Sequence, residues 1–254
     1  DDVGGTWRDN TYPGCGCDVR SHLYSWSFEL HPGWTRRYAR QPEILAYVRG
    51  CVERWGLRER MRFGAEAVRA AFDEESATWT VDCADGRSFR APFQVSAIGG
   101  LKDARIPDVP GVDVFEGHTM HSARWDPSVE LAGKRVGVVG TGASAVQIVP
   151  ELAGVASSVT VFQRTPAWVF PRMDRPIPRW RRWLYARVPG LMRAVRALEY
   201  ATYESRYPAI FGPWPFLRGV VERLAAWHVR REVRDPATAA ALTPSYALGG
   251  KRAL

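Results

Sequence analysis

Residues 135–145 read Arg-Val-Gly-Val-Val-Gly-Thr-Gly-Ala-Ser-Ala, a short apolar run entering a turn with Gly140, Gly142 and Ala145 at the spacing GxGxxA. Between a strand and a helix this spacing binds a dinucleotide. Gly140 permits the tight turn, Gly142 lets a pyrophosphate approach the backbone, and Ala145 lets the helix pack close to its strand. Thr141, Ala143 and Ser144 complete a turn whose helix N-terminus would face the phosphates. The plainer alternative is a glycine-rich turn of another α/β fold. The expected second strand ends in Val161-Phe162-Gln163-Arg164-Thr165. An NAD site places an acid there on the ribose hydroxyls. No acid is present, and Arg164 with Thr165 suits the 2′-phosphate of NADP. A charged hydrogen bond of that kind is worth about 1.5–3 kcal/mol, roughly tenfold to over a hundredfold in cofactor preference.

A second constellation is Phe115, Gly117, His121, Trp125 and Asp126, spaced FxGxxxHxxxWD. By residue type alone it puts a histidine and a tryptophan beside a hinge, and a core histidine with a core tryptophan is the bland alternative. The four cysteines, Cys15, Cys17, Cys51 and Cys83, include no CxxC and no zinc-type spacing. They read as isolated thiols, with no metal site and no redox disulfide of the reductase type.

The FxGxxxHxxxWD run resembles the fingerprint of type I Baeyer–Villiger monooxygenases, within the flavin-containing monooxygenase superfamily. There it lies between two dinucleotide motifs, and here it lies just before GxGxxA. Gly4-Gly5-Thr6-Trp7-Arg8, followed by Asn10, Tyr12, Pro13 and Gly14, resembles the flavin-contacting loop of that family. Cys17-Asp18-Val19 resembles the segment that carries an active-site Asp. Residues 242–252 resemble a stretch ending in Cys-Lys-Arg, with Gly250 in place of the Cys before Lys251 and Arg252.

The resemblance implies FAD contacts from Gly5, Thr6, Trp7, Tyr12 and Asp18, and contact of Lys251 with the NADP 2′-phosphate. It implies a catalytic set of Arg252, Asp18 and His121. Arg252 sits over the flavin and is positioned by Asp18. His121 and Trp125 couple NADP binding to domain closure instead of acting as acid or base. The implied reaction uses NADPH and O2 to convert a hydrophobic ketone to an ester or lactone through a C4a-peroxyflavin. The alternatives are an N- or S-oxygenating flavin monooxygenase and a nucleotide-binding chain without activity.

These residues need elements to hold them. Apolar spacing gives a helix over residues 41 to about 57, with Pro42 in its first turn. Strands are expected over 67–72, 78–83, 88–89 and 93–98, the last a buried strand ending at Gly99-Gly100. The Pro/Gly-rich stretch 101–117 reads as a hinge. Strand 135–139, helix 143–152 and strand 159–162 form a βαβ unit. The fold class is α/β: a partial FAD-binding Rossmann-like domain over 1–132, then an NADP-binding Rossmann-like domain over 133–254 with a helical insertion at 176–235. The family's first βαβ unit would precede Asp1, so the resemblance implies a chain truncated at both ends that holds FAD weakly. Trp180, Trp183, Trp214 and Trp227 are expected to pack the insertion's core or to line a pocket for an apolar ketone.

The net charge of +8 raises a nucleic-acid partner. The arginines are scattered, which points to an Arg-rich surface and dinucleotide phosphates instead. No apolar run approaches the roughly 20 residues of a membrane span, and no targeting pattern is present, so a cytoplasmic location is expected. Nothing in the motifs specifies an oligomeric state.

Overall fold

The computed structural model describes residues 2–100, 103–212 and 214–250. Near the start, α1 (Thr6–Asp9) is one short turn and α2 (Gln41–Arg54) is the first long helix. In α2, Pro42 occupies the first turn, where no intrahelical N–H bond is lost. Ile44, Tyr47, Cys51 and Val52 fall on one buried face. The helix stops three residues short of the expected end, because Gly56 turns the chain with φ +58°. Cys17, Trp34 and Ala39 pack against this face. Each fully buried apolar side chain there contributes roughly 1.5–3 kcal/mol.

A meander follows: β1 (Ala67–Asp73), β2 (Thr78–Cys83) and β3 (Ser88–Ala91), antiparallel in that order. Asp73 closes the first turn by accepting the Glu75 N–H and the Ser76 hydroxyl. Asp85 accepts the Arg87 N–H in the second, where Gly86 has φ +86°. Residues 93–98 depart from expectation: they form no strand. Phe93, Val95 and Ile98 are 84%, 87% and 80% exposed. A strand exists only through a hydrogen-bonded neighbour, and none pairs with this run among the described residues.

The βαβ unit forms over the expected residues. β4 (Arg135–Val139) pairs in parallel with β5 (Ser158–Phe162), in register from Arg135↔Ser158 to Val139↔Phe162. The crossover is α3 (Ala143–Leu152), which buries Ile148 and Leu152 against Tyr12 and Cys15.

Five helices follow: α4 (Arg179–Arg187), α5 (Leu191–Glu204), α6 (Tyr207–Phe211), α7 (Pro215–Glu232) and α8 (Pro236–Ala241). Arg196 fastens α5 to the N-terminal region. Its Nη1 donates to the carbonyls of His22, Leu23 and Ser25 at 2.7, 3.0 and 2.9 Å. Trp168, Ala225 and Leu248 make a small core under α7. The core expectation for Trp180, Trp183, Trp214 and Trp227 fails, since all four are more than half exposed. Their helices pack through other faces. Cys15, Cys17, Cys51 and Cys83 are buried free thiols. Among the described residues no helix is long and apolar enough to cross a membrane.

Candidate functional site

The glycine turn opens outward. Gly140 has φ +105°, and its N–H donates to the Phe162 carbonyl at 2.9 Å, tying the turn to the end of β5. A Cβ built on Gly140 or Gly142 would meet nothing within 4 Å. That open space, at the N-terminus of α3, fits a pyrophosphate held by backbone N–H groups. Thr141 closes one flank, its hydroxyl donating to the Thr165 carbonyl at 3.1 Å. Ala143, Ser144 and Ala145 form the first turn of α3. Arg164 is exposed beside Thr165.

The N-terminal loop rests on the same helix. Tyr12 is buried, and its hydroxyl donates to Gln147 Oε1 at 3.2 Å. Burial pushes its pKa up to about 12 against a Ser144 hydrogen bond that pulls it down, so it stays a neutral donor. Gly5 precedes α1 with φ +47°, and Thr6 is exposed. Trp7 Nε1 donates to the Tyr24 hydroxyl at 3.1 Å, while the Gln41 side chain donates to the Trp7 carbonyl.

Asp18 is exposed, and the residue before it is fixed on both sides. The Cys17 N–H donates to the Ala39 carbonyl at 2.9 Å, and the Cys17 carbonyl accepts from Arg172 Nη2 at 2.6 Å. Lys251 and Arg252 lie outside the described residues.

The fingerprint residues divide. Phe115 is 64% exposed, and its ring covers Gly117, where a Cβ would sit 2.5 Å from Cε1 and Cζ. A side chain at 117 therefore cannot coexist with this placement of Phe115. His121 Nδ1 accepts the Ala123 N–H at 3.1 Å and caps a 3₁₀ turn, Ser122–Arg124. Trp125 packs on Tyr12, Ile148 and Leu152, the cluster that seats α3. Asp126 accepts the Ser128 N–H and hydroxyl at 2.9 and 2.6 Å, which hold its carboxyl below the usual range.

A family model for flavin-binding monooxygenase-like proteins matches residues 28–203. The chain belongs to this family. Among the relatives of this flavin-binding monooxygenase-like chain, a Baeyer–Villiger monooxygenase of Streptomyces coelicolor is 46% identical over 252 residues, covering 99% of this chain and 48% of that protein. One from Pseudomonas aeruginosa is 42% identical over the same shares. The chain thus spans about half the length of the curated relatives it matches. Its Rossmann-type fold resembles steroid monooxygenase bound to NADP, with a TM-score of 0.84 at 34% identity, covering all of this chain and 56% of that one.

Two residues that tie this flavin-binding monooxygenase-like site together, Gln147 and Arg172, escaped sequence reasoning, and Gly14, part of the loop motif, has a packing role that the motif does not show. Gln147 Oε1 accepts the Gly16 N–H at 3.1 Å, and its Nε2 donates to the Gly16 carbonyl at 3.0 Å. Gly14 has φ +78° and lies so close to α3 that a Cβ would sit 2.5 Å from the Gln147 carbonyl. Arg172, stacked 5.2 Å from the Tyr38 ring, reaches across to Cys17. The available signal was weak: a polar Gln147 on the helical face of Ser144 and Glu151.

Proposed function

We propose that this chain is the cofactor-meeting half of a flavin- and NADPH-dependent monooxygenase that inserts oxygen beside a ketone carbonyl. One observation carries the reading. The flavin-loop residue Tyr12 and the fingerprint residue Trp125 rest on the same cluster at the foot of α3, whose N-terminus carries the glycine turn. Two nucleotide-binding segments and the family's fingerprint therefore share one support. When bound, the flavin supplies O2 activation and the nicotinamide supplies the hydride.

The chain's own residues hold and orient. Gly140 and Gly142 leave the helix N-terminus open to a pyrophosphate. Arg164 and Thr165, at the end of β5, receive the 2′-phosphate, with Lys251 as a second cation. Gly5, Thr6, Trp7 and Tyr12 line the flavin side. Asp18 orients Arg252, whose guanidinium is a fixed positive charge beside the oxygen that gains negative charge. A preorganised group of that type is worth about 2.7–4 kcal/mol. His121 shapes the turn that delivers Trp125 to the α3 cluster, so hinge position and nucleotide occupancy are linked through packing.

The test uses the complete protein that contains this chain, with NADPH, labelled O2, cyclic and linear ketones, a thioether and a tertiary amine. Ester or lactone carrying one labelled oxygen supports the reading. Sulfoxide or N-oxide without ester makes the protein an S- or N-oxygenating member of the family. Arg252→Ala should keep flavin reduction by NADPH and lose ester formation. Unchanged ester yield removes Arg252 from its role.

A further inference from the structure

Residues 179–234 hold twelve arginines against four glutamates, a surplus of eight. That equals the net charge of the whole chain, so the other 198 residues are balanced. Within this stretch two helices show the same outward pattern. On α7, Phe216, Val220, Leu224 and Trp227 recur every three or four residues on one face, and all are exposed. The opposite face, with Ala225 and Val229, is the buried one. Arg223, Arg230 and Arg231 fall on the outward side by helical phase and are exposed. Arg231 lies 5.3 Å over the Trp227 ring. On α4, which contains no acid, exposed Trp180 and Trp183 share a side with Arg179 and Arg187.

We infer that the outward face of α7 forms a docking surface for an anionic lipid bilayer, on which the helix lies flat. Trp prefers the headgroup level, arginine pairs with lipid phosphate while its stem stays in apolar surroundings, and short aliphatic side chains enter the acyl boundary. One exposed acid borders the α7 face: Glu232, at its last residue, lies 4.0 Å from Arg231, which leaves Arg223 and Arg230 without an acid beside them by helical phase. A second copy would bring arginine against arginine, and an apolar polypeptide cover would desolvate several guanidiniums without partners. Nucleic acid would satisfy the arginines but gain nothing from Val220 and Leu224. The charges preclude spanning, so the contact is peripheral. The inference does not rest on the proposed reaction.

The test is flotation of the complete protein that contains this chain with vesicles of phosphatidylcholine alone or with one quarter phosphatidylserine, at 0.1 and 0.5 M salt. Binding to the anionic vesicles is expected, with a blue shift of tryptophan emission. Each arginine near the surface is worth about fivefold in partitioning, so Arg223→Glu with Arg231→Glu should reduce binding by more than twentyfold. Phe216→Ser with Trp227→Ser should weaken it tenfold or more with the charge unchanged. Arg69→Glu with Arg90→Glu, on the exposed meander, makes the same charge change and should cost far less. All of these side chains are exposed, and circular dichroism checks that each variant folds. No preference for anionic vesicles overturns the inference. So does binding that the Phe216/Trp227 pair leaves intact and duplex DNA competes away, which would make the face a polyanion site. A concentration-dependent dimer that excludes vesicles would assign it to a second copy.

Discussion

Gln147 holds both backbone polar groups of Gly16, accepting from its N–H at 3.1 Å and donating to its carbonyl at 3.0 Å, across 131 residues of sequence. One side-chain amide thus pins the N-terminal loop to α3, in addition to the antiparallel Gly16–Arg40 bridge. Gln147→Leu should leave the two part-buried Gly16 groups unpaired and cost about 2–6 kcal/mol at 1–3 kcal/mol per group. Gln147→Glu keeps the acceptor and loses the donor, so it should cost less at neutral pH. Urea unfolding monitored by tryptophan emission reads both, and equal stability of wild type and Gln147→Leu would remove the clamp.

Gly14 and Gly86 separate backbone strain from close approach. Both have positive φ, +78° and +86°, but only Gly14 has a neighbour in the way, the Gln147 carbonyl. Gly86→Ala should cost about 1–2 kcal/mol from the left-handed conformation alone. Gly14→Ala should cost at least 2 kcal/mol more, about the scale of overpacking a tight contact. Matched thermal melts test the difference, and similar costs would show that the loop yields freely.

The acid limb of stability should report His22. Burial, with the nearby His31 and Arg181 charges, lowers its pKa from 6.5 to about 4. The unfolded chain therefore binds the proton first as pH falls. Stability from this group is full above pH 6.5, falls between pH 6.5 and 4, and levels off below. The loss approaches about 3 kcal/mol at 1.36 kcal/mol per pH unit. His31, also lowered chiefly by burial, acts with the same sign. His22→Phe should flatten most of that slope in denaturant titrations from pH 4 to 7. An unaltered slope would assign the pH dependence elsewhere.

Arg164→Ala in the complete protein should raise the Michaelis constant for NADPH tenfold to a hundredfold, at about 1.5–3 kcal/mol for one charged hydrogen bond, and leave that for NADH nearly unchanged. An equal rise for both cofactors would take the 2′-phosphate away from Arg164.

The βαβ unit was legible because a period-2 run, a GxGxxA turn and a period-3.6 helix follow in order, and each is a local signal. The meander was legible from its turns at Asp73 and Asp85. Residues 93–98 were not, because an apolar run reads alike whether or not a neighbour strand is there to pair with it. The tryptophans of α4 and α7 misled for a related reason. Their burial depends on which helix face meets the rest of the molecule, and periodicity does not say. Gln147, Gly14 and Arg172 act over separations of more than 130 residues, beyond any window of local pattern.

Among the described residues β4 and β5 are each other's only strand partners, so each has a second edge that no strand pairs with. Five-residue parallel ribbons of this kind have little stability of their own, and bare edges recruit foreign strands. Association through these edges should therefore rise with working concentration. Turbidity should grow with protein concentration, and short β-rich peptides should seed it.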